Sequence, residues 1–151
     1  MSGPTTLKRR DSARLLVISS SGKILLFRFS PPIRAAFWAT AGGALNDGED
    51  FVMAARRELR EETGLDKDVG SPIAVRFNRF TAHWGEEIIA EEHYFAVWTD
   101  AEEIDTSGHE DIELEIMKEY RWFALSELAE WHEAIFPTDI KTMLEDLLLE
   151  P

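Results

Sequence analysis

The chain reads as an α/β (α+β) protein, a mixed central sheet with helices packed on both faces. Three observations predict this. Short apolar runs rich in β-branched and aromatic residues alternate irregularly with longer segments of helical period. Two of the apolar runs are separated only by small turn residues, the signature of a hairpin. A chain of 151 residues, 44% of them hydrophobic, is long enough to bury an ordinary core. No internal repeat or linker interrupts it, so residues 1–151 are expected to form a single domain.

Residues 1–11 are polar and are expected to be loose and flexible. RLLVISSSGKILLFRF then places two apolar runs around Ser-Ser-Gly, which predicts a strand, a turn and a second strand. Residues 30–36, with Pro31 and Pro32, break that pattern and predict a loop. FWATAGGAL resumes as one short strand running into glycines. From Asp50 to Thr63 the residues Phe51, Ala54, Ala55 and Leu59 form an apolar stripe of helical period. Asp47 or Asp50 can cap its start, and Gly64 followed by Leu65 suits a left-handed stop with its accompanying apolar contact. PIAVRFNRFTAHW and EEHYFAVWTD predict two β segments, and YRWFAL a further short strand. SELAEWHEAIF and TDIKTMLEDLLLE read as amphipathic helices, the second entered through Pro137 and Thr138.

Composition excludes several functions. Sixteen Lys and Arg against 29 Asp and Glu leave a formal charge of −13, the opposite of the basic footprint expected for a DNA or RNA polymer or an anionic membrane surface. A small anionic substrate stays possible, because a bound metal reverses the local sign. With no cysteine, disulfides, thiolate metal sites and cysteine nucleophiles are ruled out. The apolar run LLVI is too short for a signal peptide, and no spanning segment follows, so a cytoplasmic location is expected.

The chemistry concentrates in RELREETGL, residues 57–65. Glu58, Glu61 and Glu62 stand three and four residues apart on one helix face, where like charges cost a few tenths of a kcal/mol per pair. Arginine could offset that cost, with Arg57 four residues before Glu61. So could a hard cation such as Mg2+, which takes carboxylate oxygens together with waters and substrate phosphates.

Read outward, the pattern is Gly43, five residues, Glu49, seven residues, then Arg57-Glu58-Leu59-Arg60-Glu61-Glu62-Thr63-Gly64-Leu65. It resembles the box of the Nudix family, hydrolases of nucleoside diphosphates linked to another moiety, and meets every specified position. Weaker likeness extends to the flanking LLF, Glu-x-Tyr-Phe and YRWFALSEL segments. The resemblance implies an α/β/α sandwich and a metal shell of Glu58, Glu61, Glu62 and the Gly43 carbonyl. It implies Mg2+, with Mn2+ as a substitute, and orienting roles for Arg57 and Glu49. The general base varies in that family. Glu61 is the choice within the box, and Glu113, with Glu110 and Glu115 close by, the choice downstream. One departure is Ala41 where the family often has proline, which leaves the stiffness of the glycine turn open.

Substrate contacts are harder to place from sequence. Arg28, Arg76 and Arg79 lie in strand-like segments and can reach phosphates, while Phe37, Trp38, Trp84 and Tyr94 can stack on a base, with core packing the expected fate of Phe37 and Tyr94. The resulting expectation is a Mg2+-dependent pyrophosphohydrolase acting on a small nucleoside diphosphate derivative such as ADP-ribose, a sugar nucleotide or a nucleoside triphosphate. Resemblance favours a homodimer. The alternative is a nucleotide or metabolite sensor that keeps the fold without turnover. An isoprenoid diphosphate isomerase is disfavoured by the lack of cysteine, and RNA decapping by the charge.

Overall fold

The computed structural model describes residues 8–32, 34–81, 85–100, 102–106 and 117–149. Within them run β1 (Lys8–Arg9), β2 (Ser12–Ser19), β3 (Ile24–Phe29), β4 (Phe37–Ala39), β5 (Ala41–Ala44), α1 (Phe51–Thr63), β6 (Ala74–Thr81), β7 (Glu87–Thr99), β8 (Met117–Phe123), α2 (Leu125–Glu130), β9 (Ala134–Phe136) and α3 (Ile140–Leu149). The strands form one mixed sheet with the path β1-β7-β2-β3-β4-β9. Outside this path, β5 pairs with β2, β6 with β7 and β8 with β3.

Period-two alternation along β2 assigns its residues to two cores. Ala13, Leu15 and Val17 face the core closed by α1, through Ala54, Ala55 and Leu59. Leu16 and Ile18 face the other, closed by α2 and α3 through Leu128, Ile140, Met143 and Leu144. The sheet is therefore sandwiched, as its alternating pattern predicts. Among the described residues no helix is long and apolar enough to cross a membrane.

The sheet is split where the site lies. β2 and β3 meet at their turn, where Ile18 faces Ile24, and then diverge. FWATAGGAL enters this gap as two strands rather than the single one expected. β4 pairs with β3, Trp38 against Arg28, and β5 pairs with β2, Gly43 against Ala13. The chain changes partner between them at Thr40.

Of the segment 1–11, residues 1–7 lie outside the described residues, while Lys8 and Arg9 pair in parallel with Ile88 and Ile89, and Arg9 binds Asp11 and Glu91. One further expectation is corrected. SELAEWHEAIF is not one helix. It stops at Glu130, and Trp131 turns extended (φ −68°, ψ 135°). There its ring packs edge-on against Phe123 and Trp38, with centroids 4.7 and 6.0 Å away, and the chain continues as β9 beside β4. Burying a large aromatic outweighs the modest gain of one more helical turn.

Candidate active site

Helix α1 is set by local chemistry at both ends. Asp50 accepts a hydrogen bond from Met53 N–H at 2.8 Å, and Gly64 (φ 77°) closes the helix in the left-handed region, donating to the Arg60 carbonyl. The apolar stripe anchors the helix on β2 and β5. The same side buries Glu58 (4% exposed) and Glu62 (2% exposed). Carboxylates at that depth are costly unless paired.

Their partners come from Arg57 and the glycine turn. Arg57 donates from Nε to Glu49 at 2.8 Å, from Nη1 to Glu58 at 2.8 Å and to Glu61 at 3.1 Å, and from Nη2 to the Ala44 carbonyl at 2.9 Å. Hydrogen bonding to Glu49, followed by that to Glu58 and by both charges, raises the guanidinium above its ordinary pKa despite burial. In return Arg57 holds the Glu49 carboxyl below its usual range, helped by the Asn46 N–H. Glu62 accepts from Gly42 N–H at 3.0 Å. Arginine thus offsets much of the repulsion within the cluster, through one side chain shared by three glutamates.

Both glycines are demanded by space. Gly42 sits at φ 136°, and a Cβ there would lie 2.2 Å from the Ala13 carbonyl oxygen. A Cβ on Gly43 would lie 2.6 Å from Glu58 Oε1. Ala41 does not loosen this turn, because the β5 ladder registers Ala41 against Leu15 and Ala44 against Ser12.

These residues form one wall of a cleft of about 280 Å³, with Gly42, Gly43, Arg57, Glu58 and Glu62 on that side, Ser12, Arg14 and Glu92 on the strands beside it and Arg10 in the connection between β1 and β2. Glu92 is buried and accepts from Ser12 Oγ at 3.0 Å, from Arg14 Nε at 2.9 Å, and from Asn78. Burial alone would push its carboxyl up, but the Arg14 charge and these three donors outweigh it and hold the pKa below the usual range. A second cleft of about 470 Å³ adjoins the first and shares Arg14, Phe80 and Glu92 with it. Phe37, Tyr94, Phe136 and Pro137 give it apolar walls, and Arg34, Arg76, Arg79 and Asp139 a charged rim.

The donor chemistry of the inner cleft fits a hard divalent cation. Glu58 and Glu62 offer carboxylate oxygens there, and Glu58 lies against the Gly43 backbone so closely that no side chain fits between. Among the described residues no three acidic or histidine side chains already converge as a finished cage. Glu61 accordingly stands aside from the cleft lining, 28% exposed and paired with Arg57.

The sequence-based choices divide. Gly43, Arg57, Glu58 and Glu62 line the inner cleft, and Glu49 and Glu61 join the cluster through Arg57 without lining it. Arg76 and Arg79 line the outer one, Arg76 in a bidentate pair with Asp139 (Nη2 to Oδ2, 2.7 Å) and Arg79 bonded to Glu87 at 3.2 Å. Tyr94 packs in the second core as expected, 3% exposed, with an edge at the outer cleft, whereas Phe37 is only half-buried and lines that cleft. Arg28 and Trp38 reach neither cleft. Trp38 is 2% exposed within the second core, and its Nε1 donates to Glu133 at 2.9 Å beside the Arg28–Glu133 ion pair at 2.8 Å. A buried indole cannot stack on a substrate, so both residues are structural. Glu113, Glu110, Glu115 and Trp84 lie outside the described residues. Arg10, Ser12, Arg14, Asn78 and Glu92 were not singled out. The sequence signals for them are the alternation Arg10-Ser12-Arg14 leading into β2 and the Glu of the Glu-x-Tyr-Phe segment, which is Glu92; Asn78 has none.

Comparison with known proteins agrees with this geometry. The chain is 41% identical over 59 residues to the CTP pyrophosphohydrolase of Escherichia coli, a stretch covering 38% of this chain and 44% of that protein. It is 31% identical over 68 residues to the RNA pyrophosphohydrolase of Novosphingobium aromaticivorans, covering 45% and 42%. The chain therefore spans less than half the length of these relatives. In fold it superposes on the MutT protein of Methanosarcina mazei with a TM-score of 0.70 at 20% identity, covering 97% of this chain and all of that one. The model of the NUDIX domain matches residues 8–146. That match takes in the strands that carry the cleft as well as the helix that closes it, and this chain belongs to the Nudix family.

Proposed function

We propose that the protein is a divalent-metal-dependent pyrophosphohydrolase that cleaves the diphosphate linkage of a small nucleoside diphosphate derivative. The observation that carries this reading is the Arg57 hub. One guanidinium fixes Glu49, Glu58 and Glu61 at 2.8 to 3.1 Å beside a glycine turn with room for backbone alone. A sensor needs a nucleotide pocket but not this carboxylate cluster.

Glu58 and Glu62, with the Gly43 carbonyl, would hold Mg2+, or Mn2+ in its place. When bound, the cation would neutralise phosphate charge and, as a Lewis acid, polarise a phosphoryl oxygen of the substrate. The chain's own residues do the rest. Glu49 and Arg57 keep Glu58 in one rotamer, and Gly42 N–H fixes Glu62, so little rearrangement is left for the reaction. Glu61 lies at the edge of the cluster and is only partly buried. It can take the proton of an attacking water as the bond to the leaving phosphate oxygen breaks. Glu113 is the other choice for that role. The outer cleft, walled by Phe37, Tyr94 and Phe136, accommodates the nucleoside, with Arg76 and Arg79 at its rim.

The charge of −13 favours a small nucleotide over an RNA polymer. Family resemblance, not the charge, is what suggests a homodimer of single catalytic domains working in the cytoplasm. The test is release of mononucleotide and phosphate from ADP-ribose, sugar nucleotides, nucleoside triphosphates and dinucleoside polyphosphates, each with Mg2+, Mn2+ and EDTA. Metal-dependent cleavage of one class is expected. No turnover on any of them, with nucleotide binding retained, would replace this reading with the sensor.

A further inference from the structure

The inner cleft has two walls of opposite sign. Glu58 and Glu62 stand on the helix side, and opposite them lie Arg14 on β2 and Arg10 in the connection between β1 and β2, two positions either side of Ser12. Neither arginine belongs to the box. Both line the inner cleft across from the carboxylate wall, so an anionic ligand entering it meets two guanidinium groups.

Arg14 is built as a clamp. Its Nε donates to Glu92 Oε2 at 2.9 Å, and Glu92 is itself fixed by Ser12 and Asn78. Among the described residues no hydrogen bond engages the two terminal nitrogens of Arg14. They form the fork that matches phosphate oxygens. Arg14 also lines both clefts, whereas Arg10 lines only the inner one. A substrate with its nucleoside in the outer cleft must pass its phosphates by Arg14 first.

We infer that Arg14 and Arg10 form the phosphate-gripping wall of the site. Arg14 binds the phosphate next to the nucleoside, Arg10 binds the distal phosphate, and Glu92 serves as the residue that positions Arg14. This rests on the pyrophosphohydrolase reading for its substrate, but its test does not require turnover. A terminal phosphate carries more charge than a diester, so Arg10 favours nucleoside triphosphates over diphosphates capped by a sugar.

Binding of an α,β-methylene nucleoside triphosphate, which cannot be cleaved between its first two phosphates, is measured by calorimetry with Mg2+ on the wild type, Arg14→Gln, Arg10→Gln, Glu92→Gln and Arg14→Gln/Glu92→Gln. Losing one charge-assisted contact should weaken binding by about 10- to 100-fold for either arginine variant. Glu92→Gln should weaken it less. The double variant should be no weaker than Arg14→Gln alone, because Glu92 acts through Arg14. The double variant also removes the buried carboxylate that Arg14→Gln would strand, and melting curves report whether each protein is folded. If the wild type turns substrate over, Arg14→Gln should raise KM more than it lowers kcat, and Arg10→Gln should do so for triphosphates but not for sugar nucleotides. Equal binding by wild type and Arg14→Gln, additive losses in the double variant, or no binding by the wild type would each overturn the inference. Binding that follows the expected pattern in a protein without turnover would uphold it while sinking the hydrolase.

Discussion

At the scale of single residues, Glu62 and Gly43 make opposite kinds of demand. Glu62 is needed for its charge, and its hydrogen bond from Gly42 N–H can be kept by an amide oxygen. Glu62→Gln should therefore retain the fold, with an unchanged far-ultraviolet circular dichroism spectrum, and lose at least about 100-fold in kcat with Mg2+. Near-normal turnover in that variant would remove Glu62 from the metal shell. Gly43 is needed for lacking a side chain. In Gly43→Ala the new methyl would stand 2.6 Å from Glu58 Oε1 and must push that carboxylate from its place on Arg57. Turnover should fall at least about tenfold and stability by about 1–3 kcal/mol, measured by urea unfolding. Wild-type kinetics in this variant would show that the Glu58 rotamer is not critical.

At the scale of elements, α1 is the rigid part on which the site depends, and its ends are chemically defined. Asp50→Ala removes the hydrogen bond to Met53 N–H and should cost about 1 kcal/mol in urea unfolding. Fraying at that end begins seven residues before Arg57, so kcat should change by less than about twofold at a temperature where the variant is folded. A large loss of kcat without loss of stability would place Asp50 in the chemistry instead. Both helix caps were legible in the sequence because capping chemistry is local. The fate of SELAEWHEAIF was not legible, since its helical period continues through Trp131 while the indole packs on the Phe123–Trp38 ring pair, and Trp38 comes from β4, far away in sequence.

At the scale of the whole molecule, Glu133 ties β3, β4 and the segment after α2 together. It accepts from Arg28 Nε and Nη2 and from Trp38 Nε1, and these bonds, Arg28 first and then Trp38, lower its pKa from 4.5 to about 2. A carboxyl lowered in the folded state contributes stability above its unfolded pKa and loses it as pH falls through the folded one. Glu133→Gln should thus be less stable than the wild type by about 1–2 kcal/mol at pH 7. The difference should shrink as pH falls from about 4.5 to about 2. Urea unfolding of both proteins at pH 7, 4 and 3 measures it, and a difference independent of pH would mean that packing, not charge, carries the effect.

By itself the sequence determined what is local: the two strands and the turn of RLLVISSSGKILLFRF, the capped helix with its carboxylates one turn apart, and the spacing that resembles the Nudix box. Arg57 could be paired with Glu61 from spacing alone, since four residues along a helix always meet. Only the tertiary structure decided which other side chains face that helix. Arg28 and Trp38 turned away from the clefts because Glu133, 105 residues beyond Arg28, gives both a half-buried partner. Arg14 and Glu92 came together because β2 and β7 pair in parallel, with Ser12 registered against Glu92 and Arg14 against Tyr94. Strand register over that separation depends on the summed burial of both cores, which no short stretch of sequence contains.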